Sequence, residues 1–491
     1  MDNTELMVGT VRPDAVQATP HEEHGGGHDT PATTMTGMDD GMGGAHVRAP
    51  EDEADSLSLF GGVSLGLGIM IGAGIFVLTG QSARLAGDMF PVAFLVAAVV
   101  VAFSAHSYVK LSHAFPSSAG PAMFLREAYG PGTATGVLSL FMYVSMVLGE
   151  SLVARTFGPY ILQIVDLKPA SFWVPALGVV LLAVAFMINI AGNRAIQVSE
   201  GASAVIKIGG LALFAIVGLW LVSSDNFTNG SRGTETVSSG GFLAAVALVI
   251  LVYKGFTVIT TTGGEMVDPR RNIGRGIIIA ISVSAVLYIA IAVTVAGNLT
   301  LTEIIAAQDF ALAEAARPAF GDAGVWFTVA LAVIATASGV IASVFAASRM
   351  LAMLARMKQV PYRSFGLPGT VRTHAMLYTV TFAMVLTILF DLRRIAALGA
   401  IFYLIFDIAI HWAILRHLRS RIEVRPAIVA IALVLDVIVL AAFVWVKTSE
   451  DALILFVSAA GIVIIVAGQR LFMWSHTDSE GHMDMDMDME M

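Results

Sequence analysis

Gly61-Gly62-Val63-Ser64-Leu65-Gly66-Leu67-Gly68-Ile69-Met70-Ile71-Gly72-Ala73-Gly74-Ile75-Phe76 is the stretch whose reading decides the fold. It belongs to the first apolar run long enough to cross a bilayer. It also holds more glycine than a simple anchor needs. Gly62/Gly66 and Gly68/Gly72 are spaced four apart, which puts small residues on one face for close helix packing. Gly72-Ala73-Gly74 falls past the middle of the run, where two glycines make a helix easy to interrupt. A break at that depth leaves N–H and C=O groups without partners, which is tolerated only in a protein interior or beside a polar cavity. Secondary transporters hold substrates and ions at such breaks. An unbroken packing helix fits the same residues, and this segment alone does not choose between the two.

Composition places the stretch in context. The chain has 491 residues, 56% hydrophobic and only 13% charged, so it is a polytopic membrane protein rather than a soluble one. The absence of cysteine excludes disulfides, thiolate catalysis and Cys-based metal sites. Much of the net charge of −9 sits in two acidic tails, and no basic patch suits nucleic acid. No HExxH pair is present, and an enzyme is not expected.

Residues 1–55 are polar and predict a disordered His/Met-rich tail, 56–472 a transmembrane domain, and 473–491 a disordered Met/Asp-rich tail. Within the domain, apolar runs predict spans at Leu57–Thr79, Phe90–Ser112, Thr135–Gln163, Trp173–Ala191, Val198–Val222 and Phe242–Thr262. Further runs follow at Gly274–Ala296, Val325–Leu351, His374–Leu389, Ile395–Leu415, Ala427–Val446 and Ala452–Arg470. The fold expected is all-α, with about twelve transmembrane helices. Loops after even-numbered spans carry most of the Lys and Arg, including Arg270, Arg271, Arg275, Arg356 and Lys358. Both termini are therefore expected in the cytoplasm, with the chain in the cytoplasmic membrane.

Few ionisable residues fall inside the spans: Glu150, Arg155, Lys207, Lys254, Asp407, His411 and Asp436. Such residues are costly in lipid and are functional candidates by default. Arg155 reads as a side chain snorkelling to the interface. Asp407 and His411 stand i, i+4 on one helix face and read as a structural pair rather than a proton relay. The sixth span repeats the oddity of the first, because Tyr253-Lys254-Gly255-Phe256-Thr257 sets a lysine beside a glycine near mid-membrane. Two suspect helices five spans apart are what a pair of five-helix inverted repeats meeting at a midplane site would give.

Four stretches carry a family resemblance. Gly72-Ala73-Gly74-Ile75-Phe76 comes first, then Tyr108-Val109-Lys110-Leu111-Ser112-His113-Ala114-Phe115-Pro116 continuing through Leu125-Arg126-Glu127-Ala128-Tyr129-Gly130-Pro131. The third is Tyr253-x-Gly255-Phe256 with Gly264-Glu265-Met266-Val267-Asp268-Pro269-Arg270-Arg271-Asn272-Ile273, and the fourth Ser348-Arg349-Met350-Leu351 through Arg356 with Val360-Pro361. In this order and at these spans, the chain resembles the amino acid–polyamine–organocation permeases over roughly residues 57–370. The resemblance implies a five-plus-five inverted repeat with broken helices 1 and 6 and two extra helices. It implies a substrate site at Ile71, Gly72, Ala73, Gly74 and Ile75 facing Tyr253, Lys254, Gly255 and Phe256. N–H groups freed at the first break suit a carboxylate, and carbonyls freed at the second suit an ammonium. Lys207 resembles the fifth-helix lysine that sodium-independent members carry where sodium-coupled relatives bind a cation, which implies proton coupling. Lys254 departs from the family pattern. It would select an acidic side chain, repel cationic substrates, or pair with Glu150.

The function expected is a secondary active, proton-coupled and sodium-independent transporter of an amino acid or related amine. Its partners would be that small molecule, the proton and the lipid bilayer, with no cofactor and no nucleic acid. The alternative is transition-metal handling of a copper-like kind through the tails. His21, His24 and His28 in one tail and Met483, Met485 and Met487 in the other offer imidazole and thioether ligands. Acidic low-complexity sequence with no ligand fits the same tails.

Overall fold

The computed structural model describes residues 57–72, 74–165, 172–222, 238–361 and 370–488, and among these every regular element is a helix. Eleven helical stretches are long and apolar enough to cross a membrane. The first of them, Gly74–Ala114, has 41 residues, about twice what a bilayer needs, and it turns at Gly87–Met89, where Gly87 has φ +54°. Its two halves therefore serve different spans. Leu59–Met70 with Gly74–Ala86 makes the first span, and Phe90–Ala114 the second. Spans three to six are Thr133–Ile164, Trp173–Ile190, Asn193–Trp220 and Ser239–Thr262. The seventh is Pro269–Asn298. The eighth belongs to Ala311–Arg356, a helix interrupted at Gly321 (φ 60°, ψ −146°) so that Phe320–Arg356 does the crossing. The last four are Val371–Leu389, Leu392–Leu418, Pro426–Glu450 and the first part of Ala452–Asp488. The expected all-α architecture of about twelve spans is borne out.

Packing follows a rule of five. The first span packs on the sixth, the second on the seventh, the third on the eighth and the fourth on the ninth. Other contacts occur in pairs related by the same shift. The second meets the sixth as the seventh meets the first, the third meets the tenth as the eighth meets the fifth, and the third meets the fourth as the eighth meets the ninth. That is the signature of two superposable five-helix halves. The eleventh span packs on the second, sixth and tenth, and the twelfth on the third, tenth and eleventh. The apolar stretch of the sixth span is 89% buried and that of the twelfth 17%, so the sixth runs through the centre and the twelfth along the lipid face.

Both central helices lose regularity where glycine makes it cheap. The first half of span one ends at Met70, and Ile71 turns out of the helix with φ −87° and ψ 41°. The second half restarts at Gly74. A Cβ on Gly339 of the eighth span would stand 3.2 Å from the Gly72 Cα, so the two glycines let the backbones touch. The sixth span does not unwind. It tightens into a 3-10 helix over Lys254–Thr262. Thr257, Thr260, Thr261 and Thr262 each donate a hydroxyl to the carbonyl three residues back, at 2.5–2.8 Å. The carbonyls of Lys254, Thr257, Val258 and Ile259 are thus each engaged by a threonine hydroxyl.

Candidate functional site

A cavity of about 60 Å³ lies between these two irregular segments. Met70 and Gly74 wall it from the first span, Met146, Gly149 and Glu150 from the third, Lys254, Gly255 and Thr257 from the sixth, and Ser343 and Ala346 from the eighth. Small-molecule pockets usually measure about 300–1,000 Å³. As it stands the cavity is too small for an amino acid, so a ligand of that size would need its walls to move.

The polar groups of the wall are few. Glu150 is wholly buried, and among the described residues neither carboxyl oxygen has a hydrogen-bond partner. Lys254 is also buried, but it is tied down: Nζ donates to the Ser145 carbonyl at 2.5 Å and to Ser145 Oγ at 2.8 Å. Ser145 Oγ in turn donates to the Gly399 carbonyl at 2.9 Å. A Cβ on Gly149 would stand 3.3 Å from Nζ, so a bare backbone there makes room for the lysine. Among the described residues Lys254 makes no ion pair with Glu150; they share a cavity without neutralising one another.

The break itself is held from outside. Tyr288 of the seventh span donates its hydroxyl to the Met70 carbonyl, and Tyr253 packs on the Tyr288 ring with centroids 5.1 Å apart. Gly255 crosses Met70 so closely that a Cβ would lie 2.8 Å from the Met70 backbone nitrogen. Gly74 similarly faces Val252, with a Cβ 2.7 Å from Cγ1. Of the residues expected at the site, Gly74, Lys254, Gly255 and Glu150 do line the cavity. Ile71, Gly72, Ile75, Tyr253 and Phe256 are buried in the packing behind it. Ala73 lies outside the described residues. Met146, Ser343 and Ala346 escaped the sequence reading, because nothing local marks those three positions as facing the break.

Lys207 is fully buried, not snorkelling. Its Nζ donates to Ser338 Oγ of the eighth span at 2.6 Å and to the Gly68 carbonyl of the first span at 3.1 Å, and stands 3.9 Å from Glu200 Oε2. The ammonium thus links three spans one turn before the break. Arg155 likewise does more than snorkel, since it donates to the Thr387 carbonyl of the ninth span.

At the face where the first span begins, the Leu57 N–H donates to the Glu265 carbonyl at 2.8 Å, and the Val267 N–H donates to the Leu57 carbonyl at 3.0 Å. Arg349, at the end of the eighth span, pairs with the Glu265 carboxylate, and both are largely buried. At the opposite face Tyr160 packs between Phe76 and Phe310 and donates its hydroxyl to the Asp309 carbonyl at 2.7 Å. Burial pushes the Asp309 carboxyl up to about 6, against the opposing pull of Arg393. His21, His24 and His28 lie outside the described residues, as do the side chains of Met483, Met485 and Met487.

Ten spans in two matched halves around a cavity at paired irregular helices, with two further spans beside them, define a membrane transporter of the inverted-repeat class. Within that class the chain belongs to the amino acid permease family, whose profile matches residues 57–468. It is similar to the inner membrane transport protein YbaT of Escherichia coli, 28% identical over 84% of this chain and 95% of the relative. An uncharacterized protein of Methanocaldococcus jannaschii is 29% identical over 75% of this chain and 85% of its own length. The vacuolar cationic amino acid transporter 4 of Arabidopsis thaliana is 26% identical over 64% and 54%. The resemblance read from the four motifs is therefore borne out.

Proposed function

We propose that this protein is a sodium-independent, proton-coupled secondary transporter of an amino acid or related amine, set in the cytoplasmic membrane with both termini inside. One observation carries the coupling. The Lys207 ammonium occupies the gap between the Gly68 carbonyl and the Ser338 hydroxyl. Two converging oxygens from different helices are a ligand set for a small hard cation. A fixed ammonium in that place supplies the positive charge and repels sodium. Losing and regaining one proton there breaks and remakes a link between the first, fifth and eighth spans, which ties protonation to helix position.

For the cargo, the half-helix starting at Gly74 turns its positive end toward the cavity and suits a carboxylate. The unpaired Glu150 carboxylate is the acceptor for an amino group. The remaining wall is mostly apolar, which suits a small hydrocarbon body. Uptake of a panel of labelled amino acids and amines into proteoliposomes, in sodium-free buffer with an inward proton gradient, tests this reading. Uptake of at least one amino acid, stimulated by the gradient, is expected. A strict requirement for sodium, or no uptake across the panel, contradicts it.

A further inference from the structure

A second cluster of ionisable groups lies where the second, tenth and eleventh spans meet, outside the cavity wall. Asp407 and His411 sit one turn apart on the tenth span, and Asp436 reaches them from the eleventh. His411 Nε2 is 3.2 Å from Asp436 Oδ2 and 3.8 Å from Asp407 Oδ1. All three side chains are buried. Asp407 is fully served, since Ser104 Oγ donates to Oδ2 at 2.8 Å and the Tyr108 hydroxyl to Oδ1 at 2.7 Å. Asp436 has no such donors. Both its oxygens, and both ring nitrogens of His411, are buried without a well-directed hydrogen bond. The pair sequence reasoning took as structural is a triad with one unsatisfied acid.

Charge counting shows what is missing. One imidazolium offsets one of two carboxylates and leaves a net charge of −1. The titratable groups facing the cluster are Tyr108 from the second span and Tyr403 from the tenth, and neither brings positive charge. Lys254 stands beyond the Tyr403 ring, 5.9 Å from its centroid, and is engaged by Ser145. An uncompensated charge at this depth costs several kcal/mol by order of magnitude. One proton on Asp436 removes it. We propose that Asp407, His411 and Asp436 form a binding site for one exchangeable proton, separate from Lys207. The site has a route to the substrate cavity. Tyr108 donates to Asp407, and its ring meets Phe256 edge-on with centroids 5.2 Å apart. Phe256 adjoins Gly255 in the cavity wall. A change of charge at the cluster therefore bears on the 3-10 segment of the sixth span.

Infrared difference spectra of the purified full-length protein between about pH 5 and about pH 8 test the site without any transport assay. The wild type should show the C=O stretch of a buried protonated carboxylic acid that disappears with rising pH. Asp436→Asn should lose that component, while Lys207→Ala and Glu150→Gln keep it. His411→Gln withdraws the compensating charge and should move the midpoint of the band by about one pH unit or more. The second variant carries the test if the first does not fold. A band unchanged in Asp436→Asn, or a midpoint unmoved in His411→Gln, would overturn the proposal. So would a wild-type melting temperature lowered by a chelator when that of Asp436→Asn is not, because the occupant would then be a metal ion. Proton-coupled transport unchanged in Lys207→Ala while the band persists would remove Lys207 from the coupling and leave the proton site standing, so the two readings fail separately.

Discussion

Glu150 is a buried carboxyl group in the cavity wall, with no hydrogen-bond partner among the described residues. A buried carboxyl group with no partner destabilises the substrate-free protein, and on the proposed reading a ligand's amino group relieves that cost only while bound. Glu150→Gln should therefore melt at a higher temperature than the wild type while binding amino substrates about tenfold or more weakly. Melting curves with and without substrate check both halves, and unchanged affinity would move the amino-group contact elsewhere. Asp309 gives a pH dependence of known sign. Burial raises its folded-state value from 3.8 to about 6. Its contribution to stability is full below 3.8 and is lost as pH rises through about 6, a change of roughly 3 kcal/mol at 1.36 kcal/mol per unit. Asp309→Asn should flatten that part of the melting-temperature profile and be the more stable protein near neutrality. A profile with the same slope in both would contradict the assignment. Neither role was legible in the sequence. Asp309 lies in a short polar loop, and its burial comes from packing of that loop on the second half of the first span. Glu150 stood out only as a charge in an apolar run.

At the scale of elements, glycine positions divide into those that are needed and those that are not. At Gly255 a methyl group meets the Met70 backbone nitrogen at 2.8 Å, and backbone cannot swing aside as a side chain does. Gly209, on the fifth span two residues from Lys207, has nothing within 4 Å of the same methyl. Gly255→Ala should cost about 1–3 kcal/mol and abolish transport, whereas Gly209→Ala should stabilise by about 0.5–1 kcal/mol and transport normally. Uptake and melting temperature of the two variants, compared side by side, decide it; equal behaviour would mean that the crossing of Met70 and Gly255 is not the working hinge. The positions of both irregular helices were readable beforehand, because Gly72-Ala73-Gly74 and Lys254-Gly255 mark them locally. The form of the second was not. Whether a helix unwinds or tightens depends on who satisfies its carbonyls, and here four threonine hydroxyls do. Of the third- and eighth-span walls only Glu150 was marked, by its charge; Met146, Ser343 and Ala346 were not, since facing a cavity is a non-local property that local sequence does not record.

On the scale of the whole molecule, the count of spans, the five-span offset and the family were all legible, because apolar length and motif order are properties of the chain itself. The proposed orientation rests on the distribution of Lys and Arg, and the naturally Cys-free chain makes it easy to check. A cysteine placed at Glu303 should react with an impermeant thiol reagent from outside, and one at Arg271 should not; the reverse pattern would invert the proposed topology. The central claim is that substrate movement carries protons through the state of Lys207. Its most direct measurement is substrate-driven acidification of the lumen of proteoliposomes in sodium-free buffer, followed with a pH-sensitive dye. The wild type should acidify the lumen on addition of a transported amino acid, and folded Lys207→Ala should not. Uptake without acidification in the wild type, or acidification unchanged in Lys207→Ala, would contradict the account.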